Sequence, residues 1–133
     1  MSADVVFRCT HVRPHKPGLE KFMGELEAKL MVAVWGGCRT ISTIQREIND
    51  LYGSYLAYTT IQTIAQRLVK KSMLRAEKRA GEATIFNPQF PSEDAFIKVA
   101  LQEILFNLSI DYGPDVDNAF QYLKNHLQHF FKE

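Results

Sequence analysis

Leu26, Leu30 and Val34 recur every four residues, with Met23, Met31 and Ala33 beside them, which predicts a helix with one apolar face. Gly36-Gly37 ends it just after Trp35. A second helix is predicted from an N-cap at Thr40, with Ile41, Ile44, Ile48 and Leu51 on its apolar side and a stop near Gly53. A third opens at Thr59, where Thr59-x-x-Gln62 has the spacing of a capping box. Its apolar face is Ile61, Ile64, Ala65 and Leu68, and Lys70-Lys71 falls in its last turn. Two short strands are then predicted over 74–78 and 83–87, joined by Arg79-Ala80-Gly81-Glu82, with Pro88 and Pro91 closing the unit.

The pattern changes after Pro91. Ser92 is a suitable cap for a fourth helix, in which Ile97, Leu101, Ile104 and Leu108 share a face. Tyr112-Gly113-Pro114 is expected to break the chain into a fifth helix. There Val116, Phe120, Leu123, Leu127 and Phe130 repeat four, three, four, three, a narrow seam of the kind helices use against other helices. Three helices followed by a basic hairpin is the layout of a winged helix. The predicted fold is mainly α with a small β-hairpin: a winged helix-turn-helix domain plus a two-helix C-terminal dimerisation region. The expected divisions are a basic flexible arm over 1–19, a DNA-binding domain over 20–90 and a helical dimerisation region over 91–133.

Charge sharpens this division. The net charge of the 133 residues is only +1. Residues 1–90 nevertheless carry 13 Lys/Arg against 8 Asp/Glu, whereas residues 91–133 carry 3 against 7. A basic first part suits a polyanionic partner. The third helix makes that partner specific. Its face away from the apolar stripe holds Thr59, Gln62, Thr63, Gln66 and Lys70, with Thr60 and Arg67 on a flank, and no carboxylate. Gln can bond adenine, Arg can bond guanine, and Thr offers a methyl to thymine or a hydroxyl to phosphate. Lys71 and, in the hairpin, Arg75, Lys78 and Arg79 are candidate phosphate contacts.

Other chemistry has thinner support. Cys9-x-His11-x-x-x-His15 could offer part of a metal site but falls short of four ligands unless Cys38 or a second chain joins. His126 and His129 are three apart on one helix, where solvated histidines are the simpler reading. Two cysteines are too few for a disulfide framework, and Cys38 reads as an inert thiol. No catalytic constellation, phosphate loop or cofactor site is evident, so no enzyme, metal or cofactor is expected. With no apolar run of membrane-spanning length and no signal-like start, no membrane partner is expected and the cytoplasm is the default location.

Two stretches carry a family resemblance. Gly24-Glu25-Leu26-Glu27-Ala28-x-x-Met31-x-x-x-Trp35 resembles the opening helix of the penicillinase-repressor family, which includes methicillin-resistance and copper-homeostasis repressors. Ala57-Tyr58-Thr59-Thr60-Ile61-x-Thr63-x-x-x-Arg67-Leu68-x-x-Lys71 resembles its recognition helix. The resemblance implies a homodimer that binds a palindromic operator in double-stranded DNA. In some members a membrane-bound, antibiotic-sensing protease triggers cleavage of the dimerisation region. The sequence departs from the family at four places. Ser72 stands where Gly is usual, and the wing has Gly81-Glu82 in place of Gly-Arg. The C-terminal cysteine cluster of the copper type is absent. Phe106-Asn107-Leu108 is only a loose counterpart of the family's Asn-Phe cleavage dipeptide, leaving Asn107 and Leu108 as the candidate scissile pair. The competing reading is a winged helix that has lost specific DNA binding and acts as a protein-interaction module.

Overall fold

In the computed structural model, residues 11–131 are described, with side chains given up to Gln128. Cys9, the first part of the expected arm, and the side chains of His129 and Phe130 therefore lie outside the described residues. The elements in order are a 3-10 turn at Gly18–Lys21, α1 (Glu25–Trp35), α2 (Ile41–Tyr52), α3 (Tyr58–Lys70), β1 (Leu74–Glu77), β2 (Ile85–Pro88) and α4 (Glu93–Phe131). The strands form one antiparallel hairpin in which Arg75 faces Asn87 and Ala76 faces Phe86. By contact density the chain divides into two compact units, the first ending at Ile97 and the second starting at Lys98.

The first unit is a winged helix. Leu30, Met31 and Val34 of α1, Ile44 and Ile48 of α2 and Ile61 and Leu68 of α3 are fully or almost fully buried. Leu51, expected on the apolar side of α2, is 62% exposed, because the face closes with Ile48 one turn earlier. Below this core sits an aromatic cluster. The Phe96 ring lies edge-on to Phe22 at 5.6 Å and 5.5 Å from Phe90, and is completely buried. Trp35 donates its indole N–H to the Phe90 carbonyl. These contacts draw the first turn of α4 into the first unit, so the boundary falls later than the expected 90/91. The arm is less irregular than its prolines suggested. Arg13 donates to the carbonyls of Glu20 and Met23, and Leu19 is buried.

In the second unit the expected break at Tyr112-Gly113-Pro114 takes the form of a kink. The backbone leaves helical values at Tyr112 (φ −125°, ψ 16°) and resumes at once, so α4 consists of two helical stretches that meet there without a loop. Pro114 supplies the cause: it has no N–H for the preceding turn, and its ring crowds the carbonyl four residues back. Among the described residues no helix is long and apolar enough to cross a membrane.

The helix ends show how the sequence sets each element. Thr40 caps α2 and exchanges hydrogen bonds with Thr43, whose N–H reaches the Thr40 hydroxyl at 3.3 Å while Thr43 Oγ1 accepts from the Thr40 N–H. Ser92 Oγ accepts from the Ala95 N–H at the start of α4. The expected Thr59/Gln62 capping box does not form, because α3 begins one residue earlier with Ala57 as its N-cap. Thr59 is thereby inside the helix, and Thr63 donates its hydroxyl to the Thr59 carbonyl. At the other end of α3, Ser72 takes a left-handed conformation (φ +63°). That turn lets Met73 N–H bond the Leu68 carbonyl at 2.9 Å.

Ser72 therefore occupies a position where a side chain is strained and Gly is not. Ser72→Gly should raise unfolding stability by about 0.5–1 kcal/mol, read as a higher denaturant midpoint with an unchanged slope. An unchanged or lower midpoint would contradict the strain.

Candidate nucleic-acid interface

Helix α3 is fixed at both ends by polar side chains that the hydrophobic pattern did not reveal. At its N-terminal side, the turn from α2 wraps around Asn49. Asn49 Oδ1 accepts from the Leu56 N–H at 2.9 Å and the Ser54 hydroxyl at 2.8 Å, and its amide donates to the Leu56 carbonyl. Gln45 donates to the same carbonyl. Gly53, in the left-handed region (φ +63°), makes this tight path available.

At its C-terminal end, Lys71 reaches back to α1. Its ammonium lies 2.8 Å from Glu27 Oε1, which also accepts the Gly24 N–H at the start of α1. The carboxylate is almost wholly buried, at 5% exposure. Burial alone would push the Glu27 carboxyl up. The Lys71 ammonium, the Gly24 N–H and the nearby Arg67 charge outweigh it, so the carboxyl titrates below its ordinary value. Lys71 was expected to meet phosphate, but here its charge is committed to a buried carboxylate. Sequence spacing offered one clue, since Gly24-x-x-Glu27 is half of a capping box.

Held this way, α3 turns its polar side outward. Thr59, Gln62, Thr63, Gln66, Arg67 and Lys70 are exposed and Thr60 is half-buried. The wing lies beside it. Arg79 pairs with Glu77 at 3.0 Å, which cancels one of the three wing charges. Arg75 donates to the Pro88 carbonyl at 3.3 Å, across the hairpin. Lys78 has no ion pair among the described residues and lines a groove of about 560 Å³ between the wing and α3. Gln62, Gln66 and Lys70 form the α3 side of this groove. Three further polar residues that sequence reasoning did not single out also line it: Ser42 at the start of α2, Tyr58 at the start of α3, and Thr84 in the wing. Tyr58 was overlooked because α3 was expected to open at Thr59. Among the described residues no carboxylate lines the groove.

The other candidate residues are placed as follows. In α4, Ile97, Ile104 and Val116 are half-buried, and Leu101, Leu108, Phe120, Leu123 and Leu127 are exposed. Asn107 and Leu108 are exposed on α4, with the Asn107 amide donating to the Glu103 carbonyl. Among the described residues no three His, Cys, Asp or Glu side chains converge on a metal site. His126 instead stacks on Tyr122, with 3.9 Å between ring centres. Cys38 is half-buried with its thiol against the Thr43 carbonyl, and burial, with the Glu47 charge, pushes its pKa up, away from reactivity.

A helix-turn-helix with a carboxylate-free outer face and a flanking wing defines a winged-helix transcription regulator. The penicillinase repressor family profile matches residues 23–127, and the chain belongs to that family of DNA-binding repressors. A solved complex structure of hsRosR-S1 shares the fold, with a TM-score of 0.51 at 14% identity. That likeness covers 77% of this chain and 89% of the other. No curated protein matches the chain.

The two adjacent lysines separate cleanly in this geometry. Lys70→Ala should leave stability unchanged and flatten the dependence of log K on log salt by about one unit, as loss of one phosphate contact does. Lys71→Ala leaves a buried carboxylate short of a partner and should cost about 1–3 kcal/mol of stability. Salt-dependent DNA binding and denaturant unfolding of both variants provide the check, and the reverse assignment would refute it.

Glu27 also gives the fold a pH dependence. Its carboxyl titrates below the ordinary value of 4.5, so its contribution is present above that value and is lost as pH falls through the lowered one. Glu27→Gln should flatten the acid limb of the stability profile. An acid limb identical to that of the unmodified protein would count against the Glu27–Lys71 tie.

Proposed function

We propose that the protein is a sequence-specific repressor that binds a palindromic operator as a homodimer and leaves it on an inducing signal. The observation that carries this reading is the outer face of α3. Gln62 and Gln66 can read base edges, Thr59, Thr60 and Thr63 can meet bases or phosphates, and Lys70 and Lys78 flank them with uncancelled charge. Arg67 is exposed, with its charge felt at Glu27, and is the candidate to meet a phosphate or a guanine. Arg79, tied to Glu77, contributes less than Lys78 and Arg75.

Pairing is supported by α4. Phe120, Leu123 and Leu127 are 49%, 51% and 41% exposed in a single chain, and Leu101 and Leu108 are comparably open. The stretches on either side of the Tyr112 kink therefore leave these side chains open and do not cover one another. Exposed apolar surface on this scale marks an interaction face. A second copy would bury it and set two α3 helices against successive half-sites.

Release by a sensor-linked protease would act on the same helix. Asn107 and Leu108 are accessible, and cutting there would separate the first unit from the seam at Phe120–Leu127. Intact-mass measurement on protein from derepressed cells tests this: a fragment ending at Asn107 is expected, and an intact chain would contradict it.

Mobility shift with DNA flanking the protein's own coding sequence tests the main proposal. A discrete complex that resists excess non-specific duplex is expected. Binding lost equally to any competitor would favour the interaction-module reading. Leu123→Asp with Leu127→Asp places charge in the seam, so the dimer should dissociate and operator affinity should fall while the winged helix stays folded. A monomer in sedimentation of the unmodified protein would overturn the dimeric reading.

A further inference from the structure

The groove between α3 and the wing has a floor that DNA alone does not explain. Its base is apolar, made by Ile41, Val69 and Phe86. On the wing side the residues are Ala76 and Ala83, whose short side chains leave the floor uncovered. Ala76 stands opposite Phe86 in the hairpin register, so any larger residue there would project over the same space. At about 560 Å³ the groove falls in the size range of small-molecule sites. Lys70 and Lys78 also line it, and no carboxylate is among its described lining residues. A phosphodiester strand would use the two lysines but gains little from an apolar floor, since it carries its own hydration.

We propose that this groove is an effector site for an aromatic carboxylate, whose ring rests on the Ile41, Val69 and Phe86 floor while its carboxylate meets Lys70 and Lys78. The complementarity is twofold: apolar surface for the ring, and two cations without competing anions for the carboxylate. Occupation would neutralise the two lysines that flank the α3 reading face and fill the space beside Gln62 and Gln66. The ligand and the operator would then exclude one another. Binding energy of the effector would appear as lost DNA affinity, which is linkage between two ligands for one surface. This regulatory part rests on the operator-binding reading above; the ligand site itself does not.

The test uses full-length protein and 2-naphthoate as the probe, without DNA. Calorimetric titration should give saturable binding, and amide resonances of Ile41, Val69, Ala76 and Phe86 should shift together. Ala76→Phe fills the groove and should abolish binding. Ala83→Leu gives a second, milder block should the first variant fail to fold. Lys78→Gln removes one of the two cations and should weaken binding about tenfold. In the presence of operator, 2-naphthoate should weaken DNA binding by the unmodified protein, and the Ala83→Leu variant should need a higher concentration of it for the same loss. No saturable binding at millimolar probe, or shifts centred on α1 or α4, would overturn the site. Binding in the groove that leaves operator affinity unchanged would overturn the regulation. If 2-naphthoate fails to bind while the operator still does, the proposed function stands and this inference falls.

Discussion

The setting of α3 is the constraint on which the rest of this structure depends. A helix lying on a hydrophobic core can rotate or slide at modest cost, because apolar contact has little direction. Hydrogen bonds have direction, and two sets of them hold α3. Asn49 fixes its entry by saturating the turn around Leu56, and Glu27 fixes its exit through Lys71. With both ends held, Ile61, Ile64, Ala65 and Leu68 point into the core. The Thr and Gln side chains between them have only one direction left. Readout of base edges needs placement within hydrogen-bonding tolerance, which is narrower than the tolerance of apolar packing.

The same logic sorts the positive charges, which sequence alone treats as equivalent. Arg13 is spent on backbone carbonyls, Lys71 on Glu27 and Arg79 on Glu77. Lys70 and Lys78 keep their charge for an outside partner, and both border one groove. A net charge of +1 thus understates the local field, because no carboxylate is among the described residues that line the groove with Lys70 and Lys78.

Much of the fold could be read from the chain because periodicity and helix ends speak directly. The i, i+3, i+4 spacing at Ile41, Ile44 and Ile48, the Thr40 cap and the Gly53 stop each have one local cause, and α2 lies between them. What could not be read depends on distant partners. Glu27 meets Lys71 across 44 positions, and Phe96 joins a cluster with Phe22 and Trp35; beyond the Gly24-x-x-Glu27 spacing, neither role leaves a local mark. Thr59 misled for the opposite reason: its spacing to Gln62 suits a cap, but Ala57 lets the helix start earlier. Gly113-Pro114 reads as a break and is one, in the form of a kink at Tyr112 between two helical stretches; that no loop separates them was not legible in the residue types. At the candidate interface the α3 residues were legible from their face. The contributions of Ser42, Tyr58 and Thr84 were not, because only the folded wing and α2 bring them together.

Assembly joins the two halves of the account. One α3 helix would touch too few bases for tight binding on its own, and α4 leaves Leu123 and Leu127 open in a single chain. Pairing through α4 would meet both needs, converting two weak contacts into one strong one. Selection from a randomised duplex library by the full-length protein tests this most directly, since it assumes nothing about the target. The account predicts enrichment of an inverted repeat whose half-sites are about one helical turn apart, or a multiple of it. Enrichment of single, unpaired half-sites, or no enrichment over the starting library, would contradict it.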